Sequence, residues 1–204
     1  MKLNITDSNG KLSNRNKVKF HHSFATLKTK IPLTVVESKI VFKVISQIDI
    51  KDEELKLYNI DATELHREIY NLTARCSTAT KLNKKEKLEL FCETLKSKTL
   101  YLPTANSEDF EMVSWFIKFN YISNENVIKC QIHPDLKPYF LNFKNNYFKK
   151  TDYYNLSQFS NKYTHKFYLL LKTVNSDSYV VINNYGKNIP IQWMRNWLGI
   201  NKNQ

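Results

Sequence analysis

With 204 residues, 42% of them hydrophobic and 13% aromatic, the chain is long enough for one or two domains with a sizeable core, and wholesale disorder is excluded. Its 31 Lys and Arg against 19 Asp and Glu leave a net charge of +12, which makes nucleic acid the default partner because clustered cations release the counterions of phosphate. Three widely spaced cysteines exclude a disulfide framework and a paired zinc site, and no apolar run approaches the ~18 residues of a membrane span.

Residues 1–30 carry seven Lys and Arg against Asp7 alone, and they lack the hydrophobic stretch of a secretion signal, so the chain reads as cytoplasmic. This segment is expected to be a flexible basic arm, either an untethered terminus or a reach along a DNA backbone. From residue 31 to 145 the spacing predicts a first domain. Thr34 to Glu37 has capping-box spacing, and Val41, Val44, Ile45 and Ile48 follow at helical intervals. A short strand is expected around Leu55 to Ile60, and Asp61 is placed to cap a second helix carrying Leu65 and Ile69.

Asn83-Lys84-Lys85-Glu86 predicts a third helix start, with Leu88, Phe91, Cys92 and Leu95 as its apolar stripe. Strands are expected at Thr99 to Leu102, Met112 to Phe119 and Asn126 to Ile132, with a turn at Ser123 to Asn126. Three helices followed by a β-hairpin give an α+β fold of the winged helix-turn-helix type. Pro134 starts a short helix that reaches about Leu141.

A second winged-helix unit is expected over residues 149–204. Its opening helix is read from Leu156 to Val174, on the spacing of Phe159, Tyr163, Phe167, Leu170 and Leu171. Short strands at Tyr179 to Ile182 and Asn188 to Ile191 and a last helix from Gln192 to Leu198, ended by Gly199, complete it. Trp193 and Trp197, four apart on that helix, are either packed or an exposed contact surface.

The candidate DNA contacts form two groups. Lys81, Asn83, Lys84, Lys85 and Lys87 surround the start of the third helix, where a winged helix presents its recognition element, and the Asn83 amide has the donor and acceptor that read adenine. Glu86 and Glu89 dilute this charge. Lys144, Lys149, Lys150, Lys162 and Lys166 lie in a stretch from 136 to 172 with seven lysines against Asp152 alone, interleaved with Tyr147, Phe148, Tyr153, Tyr154 and Tyr163. Lysines among rings suit phosphate contact. The chemistry of an enzyme has no frame here: the five histidines are scattered, and three glycines build no phosphate cradle. No cofactor or metal is expected, and the alternative to DNA contact is a solvated basic face.

Several segments, in this order, resemble the iteron-binding plasmid replication initiator family: "LTVVESKIVFKVISQI", "YNIDATEL", "WFIKFNYI", "IHPDLKPYFLNFK", "LSQFSNKYTHKFYLLLK" and "MRNWLGI". The resemblance implies two winged-helix domains, the first supporting a homodimer and holding origin DNA, the second reading each repeat in the major groove. It also implies monomers that melt adjacent AT-rich DNA and recruit a host initiator and replicative helicase, and dimers that repress the initiator's own promoter. In "KYTHKFYLLL" this chain has His165 and Lys166 where the family usually has an apolar residue and Arg, which keeps the charge without the bidentate geometry. Family members continue past the "LGI" segment, so the second domain is expected to lack its recognition helix and wing. Two other readings share the basic surface: a winged-helix transcriptional repressor, and a dimerisation module that regulates a full-length initiator.

Overall fold

A computed structural model describes residues 17–73, 82–106, 108–141, 148–174 and 191–199. At its centre the elements follow the expected order: α1 (Val35–Ile45), β3 (Leu57–Asp61), α2 (Ala62–Thr73), α3 (Lys84–Lys96) and the hairpin β6 (Phe116–Ile122) with β7 (Val127–Ile132). β3 returns to pair antiparallel with β7, Tyr58 opposite Cys130 and Ile60 opposite Ile128, so that the sheet order is β3-β7-β6. Along these strands the side chains alternate: Tyr58, Ile60, Ile128, Cys130 and Ile132 point into the core while Leu57, Asn59 and Asp61 face out.

Capping sets the helix starts. The Thr34 hydroxyl accepts from Glu37 N at 3.3 Å and the Glu37 carboxylate accepts from Thr34 N at 2.7 Å, satisfying two otherwise orphaned donors. Asn83 and Glu86 repeat the arrangement at α3, and Asp61 accepts from Glu64 N at 2.8 Å at α2. Behind these caps α1 buries Val36, Ile40, Val41, Val44 and Ile45, each such side chain contributing about 1.5–3 kcal/mol when removed from water.

Between α3 and the hairpin lies a second sheet, β2 (Lys28–Thr29), β4 (Thr99–Leu102) and β5 (Glu111–Ser114), in the order β2-β4-β5. Trp115 joins β5 to β6: its N–H donates to Lys98 O at 3.3 Å and its carbonyl accepts from His133 N at 3.1 Å. After β7, Pro134 opens a 3-10 turn that runs into α4 (Lys137–Phe140), as the sequence predicts.

Three expectations are corrected. Residues 17–29 are not part of a loose arm: β1 (Lys17–His21) pairs antiparallel with β8 (Phe148–Asp152), Val18 and Phe20 are fully buried, and a 3-10 turn at His22–Thr26 buries Phe24 and Ala25 before β2. Residues 1–16 lie outside the described residues.

Nor do the elements expected to open a separate unit at 149 stand apart. β8 holds β1, while Leu156 of α5 (Tyr153–Ser157) and Leu169 of α6 (Thr164–Val174) belong to the same buried cluster as α1 and the winged-helix sheet. The one long helix expected from Leu156 is two helices, α5 and α6. Ser157 turns its hydroxyl back onto Tyr154 O and the Asn161 side chain accepts from Tyr163 N at 2.9 Å, so local polar bonds compete with the helical ladder. The break shifts the phase of α6: Leu169 and Leu170 are buried, whereas Phe167 and Leu171 are 37% and 60% exposed.

α7 (Ile191–Leu198) ends at Gly199, whose φ of +71° and close approach to Thr29 O and Pro32 suit a residue without Cβ. Trp197 is fully buried and its Nε1 donates to Ala25 O at 3.0 Å, so it packs against the N-terminal segment instead of forming an exposed surface. The strand expected at 179–182 lies outside the described residues, as does the one expected at 188–191 except for Ile191, which opens α7.

The break at α5–α6 also seats His165. Its ring stacks on Phe42 and its Nε2 lies 2.9 Å from the Leu156 carbonyl, which only accepts, so Nε2 carries a proton. Burial pushes its pKa down to about 4. In the unfolded chain this histidine protonates near 6.5, so the folded state binds fewer protons between pH 6.5 and 4. Stability is therefore fully present above pH 6.5 and falls by on the order of 3 kcal/mol by pH 4. Urea unfolding at pH 7 and pH 4 checks this: His165→Gln should lose much less stability on acidification than wild type, and equal losses would refute the assignment.

Candidate nucleic-acid interface

The start of α3 is fixed by a three-way junction. Lys84 Nζ donates to Asn126 Oδ1 at 2.7 Å and to Thr63 Oγ1 at 3.3 Å, and Asn126 Nδ2 donates to the same threonine oxygen at 2.6 Å. Asn126 sits in the turn between β6 and β7 with φ 53°, a left-handed conformation that asparagine tolerates, and its carbonyl accepts from Ala62 N at 3.0 Å. The first residues of α2, the first residues of α3 and the tip of the hairpin are thereby locked together.

Around this junction the charge is uneven. Lys85 is exposed, and Lys87 lies over the Tyr70 ring at 5.6 Å. His66 is held below its ordinary pKa, first by burial and then by the neighbouring Lys87 and Lys84, an electrostatic mark of local positive potential. Further along α3, Glu89 and Glu93 are exposed. The helix is basic at its N-terminal turn and mixed beyond it.

The sequence candidates are thus brought together in part. Asn83, Lys84, Lys85 and Lys87 do share one place, but Asn83 spends its side-chain oxygen on Glu86 N at 3.0 Å, and Lys84 spends its amine on the junction. Lys81 and Lys144 lie outside the described residues. Lys149 and Lys150 stand on β8, opposite Phe20 and Lys19 of β1, and Lys162 is exposed just before α6, its amine 4.9 Å from the Tyr163 ring.

Lys166 is corrected. Its amine points inward, donating to Leu27 O at 3.2 Å, to Thr29 Oγ1 at 3.2 Å and to Trp197 O, and it lies 5.2 Å from the Trp197 ring. Burial lowers its pKa to about 7. Such a lysine joins α6, β2 and α7 and has no donor left for phosphate. Sequence reasoning missed Thr63 and Asn126 as partners of Lys84. The asparagine at a turn was legible as a turn former, but nothing local placed it beside residue 84.

The family described as Initiator Replication protein, WH1, matches residues 17–172. Among solved structures the chain is similar to a Pi initiator protein, whose structure is in complex with iteron DNA, at 17% identity and a TM-score of 0.52. The similarity covers 81% of this chain and 67% of that one, and at such identity it speaks for the fold. No curated protein matches the chain.

Proposed function

Because this chain belongs to the initiator replication protein family, we propose that it is a plasmid replication initiator whose winged-helix domain binds double-stranded DNA at origin repeats. The role is binding rather than catalysis. The observation that carries the reading at the level of residues is the junction of Lys84, Thr63 and Asn126, which holds the N-terminal turn of α3 and the hairpin tip in fixed relation, as a helix in the major groove and a wing on the backbone require. Lys85 and Lys87 are the phosphate-contacting groups of that turn, and the exposed Lys150 and Lys162 add to the basic surface.

Substituting Lys85 and Lys87 together by Gln should weaken duplex binding on the order of 10- to 100-fold at low salt and make the log–log salt slope shallower by about 2, since each phosphate contact contributes about 0.9. Fluorescence anisotropy across a salt series measures both, and an unchanged slope would remove α3 from the interface. Lys84→Ala acts differently: it unlocks the turn and should weaken binding through misalignment.

The same reading includes a homodimer in the repressing form and contact with a host initiator and helicase in the initiating form. Support for self-association comes from β5, an edge strand of its sheet whose flank carries Phe110 and Met112, 74% and 40% exposed.

A further inference from the structure

We infer that the ribbon formed by β1 and β8 is a second, sequence-independent contact for the DNA backbone, separate from α3 and built in part from residues near the N-terminus. This rests on the DNA-binding reading above. The register sets Lys19 directly opposite Lys150, with Lys17 opposite Asp152. Val18 and Thr151 point into the core, so Lys17, Lys19 and Lys150 share the outward face.

Side chains directly opposite in an antiparallel pair have Cβ atoms about 4.5–5.5 Å apart, and like charges there are destabilising. Six lysines elsewhere, Lys39, Lys43, Lys56, Lys98, Lys129 and Lys137, each pair with a carboxylate. Among the described residues neither Lys19 nor Lys150 forms such an ion pair. With Asp152 the one acid on the ribbon, two lysines set against each other across it leave a local positive charge that an anion from outside offsets.

The anion that suits this face is a phosphodiester backbone. A two-stranded ribbon is narrow, its lysine stems are long enough to follow successive phosphates, and ammonium groups act as point charges without base preference. On the inward side the ribbon is held to α6, whose Tyr168 hydroxyl lies 2.9 Å from the Thr151 hydroxyl of β8.

The test substitutes Lys19 and Lys150 together by Gln, and in a second variant by Arg, in the full chain. Binding to a duplex of about 30 base pairs and random sequence is followed across a salt series. The Gln pair should make the salt slope shallower by about 2, and the Arg pair should retain the wild-type slope. A structural role would instead show in melting. Relief of the like-charge pair predicts a Tm equal to wild type or up to about 2 °C higher at low salt. Combination with the Lys85 and Lys87 substitutions should remove a slope of about 4 in total, which marks two independent contacts.

If wild type binds duplex and the Gln pair keeps its slope, the ribbon assignment is overturned and the α3 reading stands. If the Gln pair loses binding only because its Tm collapses, the ribbon is structural and the assignment likewise falls. Wild type that binds no duplex at all defeats the ribbon together with the reading it rests on.

Discussion

Replacing Lys98 by Ala lowers the stability of the chain by about 3–5 kcal/mol, because it strands a buried carboxylate. Glu37 is 2% exposed and Lys98 is 8% exposed, with Nζ 3.8 Å from Oε2. The Glu37 carboxylate also accepts from Thr34 N, so it is fixed in place by the cap of α1 and cannot swing to solvent when its cation goes. The pair itself is long and adds little over an apolar replacement, whereas breaking it from one side is costly. Two urea series separate these statements. Lys98→Ala should fall by the stated amount, and the double variant Glu37→Gln with Lys98→Met should recover most of it. A Lys98→Ala variant within about 1 kcal/mol of wild type would show that Glu37 is not held as an anion.

Trp197→Ala is expected to cost a comparable 3–5 kcal/mol or so, the range for truncating a fully buried aromatic. Its ring stacks on Trp193 at 5.6 Å, meets Phe167 edge-on at 5.4 Å, and carries the Lys166 amine. Its Nε1–H bond to Ala25 O links α7 to the segment between β1 and β2. Trp197→Phe keeps most of the apolar volume and loses that bond, so a loss of about 1–2 kcal/mol is expected. Equilibrium unfolding of the two variants measures the difference. A loss below about 1 kcal/mol for the Ala variant would mean that α7 unfolds apart from the rest and carries none of the cooperative stability.

The central winged helix was legible because its signals are local. The capping boxes at Thr34 and Asn83 and the alternation in β3 and β7 are written in consecutive residues, and the structure follows them. The N-terminal ribbon was not. Lys17-Val18-Lys19-Phe20 alternates as a strand should, but the lysines made it resemble a solvated arm, and its pairing partner at 148–152 lies far along the chain. Lys166 was misread for a related reason. Charge in a sequence says nothing about which carbonyls tertiary folding will bring to it, and here Leu27 and Trp197 supply them. Phe167 and Leu171 fit the helical period counted from Leu156, yet the break after Ser157 restarts the phase. The candidate interface was legible as a basic helix start, and its organisation was not, because Thr63 and Asn126 reach Lys84 only through packing of α2 and the hairpin.

The most direct test of the initiator reading is binding of this chain to a duplex carrying tandem repeats from its own replicon, against a scrambled duplex, from 50 to 200 mM salt. An initiator binds the repeats more tightly, with a log–log slope of about −4 or steeper from five or more phosphate contacts. Equal, weak binding to both duplexes with a slope near zero would contradict it.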